Sequence, residues 1–262
     1  MELENLKLEV ADLVATVTLD RPPVNALGRA IREEMIRVFD ALHDREDVRA
    51  VVLTGSGTIF CAGADIKERS LMTGEPGEHG KLNRLVREVF YSVMECSKPV
   101  IAAVNGPALG AGFVLTLCCD ILLAADGAIF AMPEVDVGLA GGVKFLQRHL
   151  TPSKARRLLL TGQRIPAAEL YRLGVLEECV PGDQLLATAA AIAREIASKS
   201  PLAIQMLKQS FNTVETLTLR DGYRVEQDMA VELGQSEDAK EAKRAFLEKR
   251  KPVFTGRGPE RT

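Results

Sequence analysis

Residues 98–142 read KPVIAAVNGPALGAGFVLTLCCDILLAADGAIFAMPEVDVGLAGG. The segment opens with an apolar, β-type run from Pro99 to Val104, breaks at Asn105-Gly106-Pro107, and resumes as small residues leading into an apolar helical stretch from Ala108 to Cys119. Strand, glycine-rich turn and buried helix is the order this predicts. Glycines at 106, 110 and 112 allow a tight turn and a close backbone approach, and the first amides of the helix that follows have no partner within it. Such amides can face an anion or a polarised oxygen, which makes the turn a candidate oxyanion site. No Gly-Lys-Ser/Thr follows, and the spacing is not that of a dinucleotide-binding loop, so phosphate cradling is the weaker reading. A close helix-strand contact would ask for the same small residues.

Around this segment lies enough chain for a large core, since 262 residues with 47% hydrophobic and 26% charged content describe a globular protein. A net charge of -3 argues against a general affinity for nucleic acid. The apolar run near Val114 is interrupted by Asp120, too soon to span a bilayer. The start MELENLKLEV has no basic segment followed by an apolar one, so a cytoplasmic location without membrane partners is the expectation. Five cysteines without a CxxC pair and three scattered histidines predict reduced, buried thiols and no metal site.

Upstream, Leu6 to Leu19 alternates as two strands, with Val14 to Leu19 the clearer one. Ile31, Met35, Val38, Phe39 and Leu42 fall on one face of a helix from about 28 to 44, and Val48 to Thr54 reads as a buried strand. A loop from Thr73 to Gly80 precedes a helix from Leu82 to Cys96. Downstream, helices are predicted over 146–161, 166–173 and 184–199, with a strand over 175–180. From Pro201 onward the pattern is helical only (202–212, 217–232, 238–249), followed by a basic tail from Arg250 to Thr262. The chain thus divides into a mixed α/β core, 1–200, and a helical C-terminal module, 201–262.

Five ordered blocks carry a resemblance: LDRPPVNAL, TGSGTIFCAGADIKE, the segment from Lys98 through FAMPEVDVGLAGG, LTGQRIPAAELYRLGVLEECVP, and KRKPVFTGR. Together they resemble the crotonase superfamily, the enoyl-CoA hydratase/isomerase family. The resemblance implies a ClpP-like spiral of ββα units closed by a helical trimerisation module, assembled as a homotrimer or hexamer. The implied ligand is an acyl-CoA thioester, with coenzyme A entering as part of the substrate and no separate cofactor. It also implies oxyanion donors at the amides of Ala64 and Ala111, although the family more often has glycine at position 111. Ala62, Ala64, Asp65, Ile66 and Lys67 would line the CoA side, with Arg21, Lys67 or the basic cluster Lys249-Arg250-Lys251 facing its phosphates.

Hydratases of this family carry one glutamate at the position of Val114 and a second at that of Glu134. Only Glu134 is present here. Dienoyl-CoA isomerases, which share EVDVGLA, place acids at the positions of Val114 and Gly142, and this chain has neither; Asp136 remains, but it is not the proton carrier in that branch. Hydration needs a held and deprotonated water together with a proton donor, whereas a double-bond shift needs one base acting at two carbons. The residues therefore favour a shift of the double bond of a 3-enoyl-CoA to the 2 position, with Glu134 as the base and hydratase as the runner-up. Other acyl-CoA reactions on the same scaffold, or a non-catalytic CoA-binding or RNA-associated role, stay open. Glu88 and Glu95, on the 82–96 helix, are the acids that could replace the missing one.

Overall fold

The computed structural model describes residues 2–256, so the end of the basic tail lies outside the described residues. The chain begins with β1 (Leu6–Ala11) and β2 (Val14–Leu19), then α1 (Arg29–Asp44), β3 (Ala50–Gly55), α2 (Ile66–Ser70), α3 (Glu78–Glu95) and β4 (Val100–Val104). The central segment continues as β5 (Ala108–Leu109), α4 (Ala111–Leu117), β6 (Ile121–Ala125), β7 (Ile129–Ala131) and a 3-10 helix, Pro133–Val137. Next come α5 (Val143–His149), α6 (Pro152–Thr161), β8 (Ile165–Pro166), α7 (Ala167–Arg172), β9 (Glu178–Val180) and α8 (Leu185–Ala197). Three helices end the chain: α9 (Pro201–Val214), α10 (Leu219–Gly234) and α11 (Glu237–Leu247).

Six strands form the main sheet in the order β1-β2-β3-β4-β6-β9, antiparallel only between β1 and β2. Parallel strands covered on both faces read as unbroken apolar runs, and β3 and β4 are buried at every position. The pleat sorts their side chains. Val51, Leu53, Val100, Ala102 and Val104 join the larger core with α1, α3 and α4, while Ala50, Val52, Ile101 and Ala103 join a second core. That second core is roofed by α8, whose Leu185, Ala189, Ala193 and Ala197 recur every fourth residue. The small alanine stripe lets the helix lie close on the sheet.

Several boundaries differ from those expected. The helix expected over 146–161 is two, because Leu150 is extended and Pro152 starts a new helix at its first turn. The helix expected from Ala108 begins at Ala111, since Ala108 and Leu109 are drawn into a three-stranded sheet of order β5-β7-β8. Part of the loop expected over 73–80 is the first turn of α3. The strand expected over 175–180 shortens to its last three residues.

The C-terminal helices are separately capped: Ser200, Thr218 and Ser236 each accept an amide three residues on, from Ala203, Asp221 and Ala239. Beyond them the tail is tied back, with Asp238 accepting from Thr255 and Gly256, and Glu241 accepting from Val253. Arg250, expected as a CoA-phosphate contact, instead lies between Glu241 and Glu248, at 2.6 Å from each. A guanidinium flanked by two carboxylates is already neutralised, so the fold turns this part of the tail to its own repair rather than to a phosphate.

Candidate active site

Three backbone ties bring the central segment and the CAGADIKE block together. Leu27 and Ala64 form a parallel bridge in which Leu27 donates to the Gly63 carbonyl at 2.8 Å and Asp65 donates to the Leu27 carbonyl at 3.3 Å. This pairing uses the groups on either side of Ala64, so its own N–H points the other way, as the parallel ladder requires. Cys61 and Ala108 form a second bridge: Cys61 donates to Pro107, and Leu109 donates to Cys61 at 2.9 Å. Gly110 then donates to the Ala131 carbonyl at 2.8 Å, which sets the start of α4 beside the 3-10 helix that carries Glu134.

Ala111 is the first residue of α4, and the helix's first ladder bond runs from Val114 to Gly110. Its N–H therefore precedes the ladder, as the opening amides of any helix do. Ala111 is absent from the residues with positive φ, which removes the objection that only glycine could serve at this position. Two glycines make the approach possible. Gly63 has φ +93°, and a Cβ on it would stand 2.7 Å from the Leu109 carbonyl oxygen and 3.4 Å from the Ala111 nitrogen. Gly110 has φ +51°, and a Cβ there would stand 2.5 Å from a Glu134 carboxyl oxygen. Both positions combine a left-handed backbone with no room for a side chain, so glycine is required twice over.

A cavity of about 600 Å³ opens on these groups and is lined by Ala64, Ala111, Val114 and Glu134 among others. Glu134 reaches it with one carboxyl oxygen, Oε2, buried and without a hydrogen-bond partner. Burial pushes this carboxyl above the ordinary glutamate range, because the charged form loses hydration. Facing positions are apolar. Val114 is 3% exposed, and a Cβ on Gly142 would run into Met132 Cε and come within 3.1 Å of Val114 Cγ2. An acid at either 114 or 142 would thus project into this same corner, and here the corner is filled by Val114 and Met132.

The remaining expected site residues divide. Ala62, Asp65 and Ile66 line the cavity, whereas Lys67 is exposed outside its lining. Arg21 also stands outside the lining, pairing with Asp65 at 2.7 Å and donating to the Ala26 carbonyl at 2.8 Å. It fixes the loop more directly than it meets a ligand, and it holds the Asp65 carboxyl below the usual range. Glu88 and Glu95 are exposed on the outer side of α3, away from the cavity that Leu82, Val86 and Phe90 of the same helix line, so neither replaces the missing acid. Asp136, two residues after Glu134, does line it. So do Arg29 and Arg32 of α1, which sequence reading passed over because they sit on an otherwise ordinary amphipathic helix. The cysteines are poor nucleophiles: burial pushes the Cys61 thiol up to about 12 and raises Cys118 and Cys119 as well.

Residues 9–257 match the family model described as enoyl-CoA hydratase/isomerase. The chain is 39% identical over 256 residues to a short-chain-enoyl-CoA hydratase from Clostridium acetobutylicum, covering 96% of this chain and 97% of that protein. It is 35% identical over 248 residues to a 2,3-dehydroadipyl-CoA hydratase from Escherichia coli, covering 93% and 96% respectively. A solved enoyl-CoA hydratase from Bacillus anthracis superposes with a TM-score of 0.91 at 34% identity, over 97% of this chain and all of that one. With both the blocks of sequence and the whole architecture shared, the chain belongs to the enoyl-CoA hydratase/isomerase family of the crotonase superfamily.

Proposed function

We propose that this member shifts the double bond of a 3-enoyl-CoA to the 2 position. The observation that supports it is a single buried carboxylate, Glu134, set beside two candidate oxyanion amides and faced by the apolar corner of Val114 and Met132. The ionised Glu134 removes a proton from C2, and the electron pair of that C–H bond spreads through the C3=C4 bond and the thioester. Charge gathers on the thioester oxygen, where the amides of Ala64 and Ala111 accept it; each such donor is worth about 10²–10³-fold in rate. The carboxyl then returns its proton at C4, leaving the double bond between C2 and C3. One group suffices because the two carbons lie on one allylic system and the proton remains on one carrier. The raised proton affinity of Glu134 suits the task, since a base that binds its proton more tightly abstracts from carbon more readily.

The relatives' names point to hydration, for which a second acid is needed. Asp136 is the carboxylate beside Glu134 on the cavity wall that could be asked to supply it. Purified protein is expected to isomerise a 3-enoyl-CoA faster than it hydrates crotonyl-CoA, both followed by thioester absorbance and product chromatography. Hydration that outpaces isomerisation and collapses in Asp136→Asn would transfer the assignment to a hydratase.

Assembly as a trimer, or a dimer of trimers, belongs to the same proposal. On α9, α10 and α11, Phe211 is 71% exposed, Leu219 91% and Phe246 83%. Large apolar side chains exposed to this extent on successive helices are the usual mark of a contact surface. Sedimentation equilibrium at micromolar concentration is expected to give a trimer or hexamer mass, and a stable monomer would contradict it.

A further inference from the structure

Arg32 is 6% exposed yet lines the cavity that holds Glu134. Its charge is felt by the Cys61 thiol, behind the loop that carries Ala62 and Gly63, so the guanidinium lies against the inner wall and not at the rim. Arg29, one turn earlier on α1, lines the same cavity from its exposed end. Withdrawing a guanidinium from water is costly, and a buried cation on a ligand cavity is best matched by an anion that enters with the ligand. The cavity's own carboxylates around it are engaged. Asp65 pairs with Arg21, Glu68 accepts from the Arg29 amide at 2.8 Å, and Glu78 accepts from the amides of Thr73 and Gly74. A guanidinium has five donors in a planar fork, so a contact with the protein leaves edges free for a carboxylate.

We propose that Arg32, with Arg29 toward the entrance, receives the distal carboxylate of a dicarboxylic acyl group, so that the preferred substrates are CoA monothioesters of dicarboxylic acids. The inference rests on the acyl-CoA reading of the site and adds the class of acyl chain. Apolar chains would leave the buried charge facing hydrocarbon, whereas an ω-carboxylate gains a charge-assisted, two-point contact in a place shielded from water. The other anion that could sit on this guanidinium is a phosphate of coenzyme A itself.

Calorimetric binding of saturated, unreactive thioesters tests this without any proton transfer, so failure of the isomerase reading cannot imitate its failure. Succinyl-, glutaryl- and adipoyl-CoA are compared with butyryl-, valeryl- and hexanoyl-CoA, with free CoA as a third arm. At one chain length or more, the wild-type protein is expected to favour the carboxylated member by about tenfold, the scale of a charge-assisted pair. Arg32→Met should erase that preference while leaving free CoA binding unchanged, and Arg32→Lys should restore part of it. No preference at any length in the wild type would overturn the proposal, even if Arg32→Met failed to fold. An equal loss for free CoA would overturn it in favour of a phosphate contact, and a preference that survives Arg32→Met would show that another group reads the chain end.

Discussion

Glu134→Gln is expected to lower the isomerisation rate by about 10²–10⁴-fold, the range that a positioned base contributes. The substitution is close to isosteric, and glutamine cannot take the proton from C2. Thioester binding should persist within about tenfold, because the amides of Ala64 and Ala111 and the cavity walls remain in place. The wild-type rate should fall as pH drops through the raised Glu134 pKa, since the base must be ionised. Stability should move the other way. A carboxyl whose folded-state pKa lies above its unfolded value binds its proton more tightly when folded, so stability declines as pH rises from the unfolded pKa through the folded one. Above that window the buried charge is a net cost, and Glu134→Gln should melt at the same temperature as the wild type or higher. Lost activity with a lowered melting temperature would make Glu134 a structural group; unchanged isomerisation would move the base elsewhere.

The second large effect is on stability. Lys208 of α9 is 5% exposed and donates to three oxygens: Asp120 Oδ2 at 2.7 Å, the Lys98 carbonyl at 3.0 Å and the Val93 carbonyl at 3.4 Å. Asp120 Oδ2 also accepts from the Val100 amide at 2.7 Å. One ammonium therefore ties the C-terminal helices to the end of α3, the start of β4 and the turn after α4. Removing one partner of a buried, hydrogen-bonded pair leaves the other uncompensated, typically at 3–5 kcal/mol. Asp120 is 30% exposed and can regain some hydration, so Lys208→Met is expected near the lower end, about 3 kcal/mol. For a chain of this size that is a fall of roughly 6–12 °C in melting temperature. Asp120→Asn should cost less, because the Val100 amide keeps an acceptor, and the double variant should cost less than the sum of the two. A loss in Lys208→Met below about 1 kcal/mol, the value of a surface pair, would mean that water takes over the three acceptors.

Periodicity made the secondary elements legible where one face alone is buried. Helix α1 shows this through Ile31, Met35, Val38, Phe39 and Leu42, all fully or nearly fully buried. Fully buried β3 and β4 were legible as continuous apolar runs. Their pairing was not, because register depends on which side chains meet across 50 residues of chain, and no local pattern encodes that. Short elements escaped for a related reason. Strand β5 is two residues long and exists because β7 and Cys61 offer it partners, while Pro152 divides a stretch that looks continuous by hydrophobicity alone.

For the site, the residues themselves fixed the chemistry on offer: one carboxylate at Glu134, none at Val114 or Gly142, and glycines where a backbone must come close. Tertiary structure decided which groups share a cavity. It set Glu134 against Gly110 and turned the Ala64 amide inward, and it carried Glu88 and Glu95 to the far side of α3. It also brought Arg32 into the cavity wall from a helix whose sequence reads as core packing. The reason is physical. Side-chain type sets what a group can do with a proton or a charge, whereas the direction an amide or guanidinium points, and the water it loses, depend on segments far away in the chain folding against it.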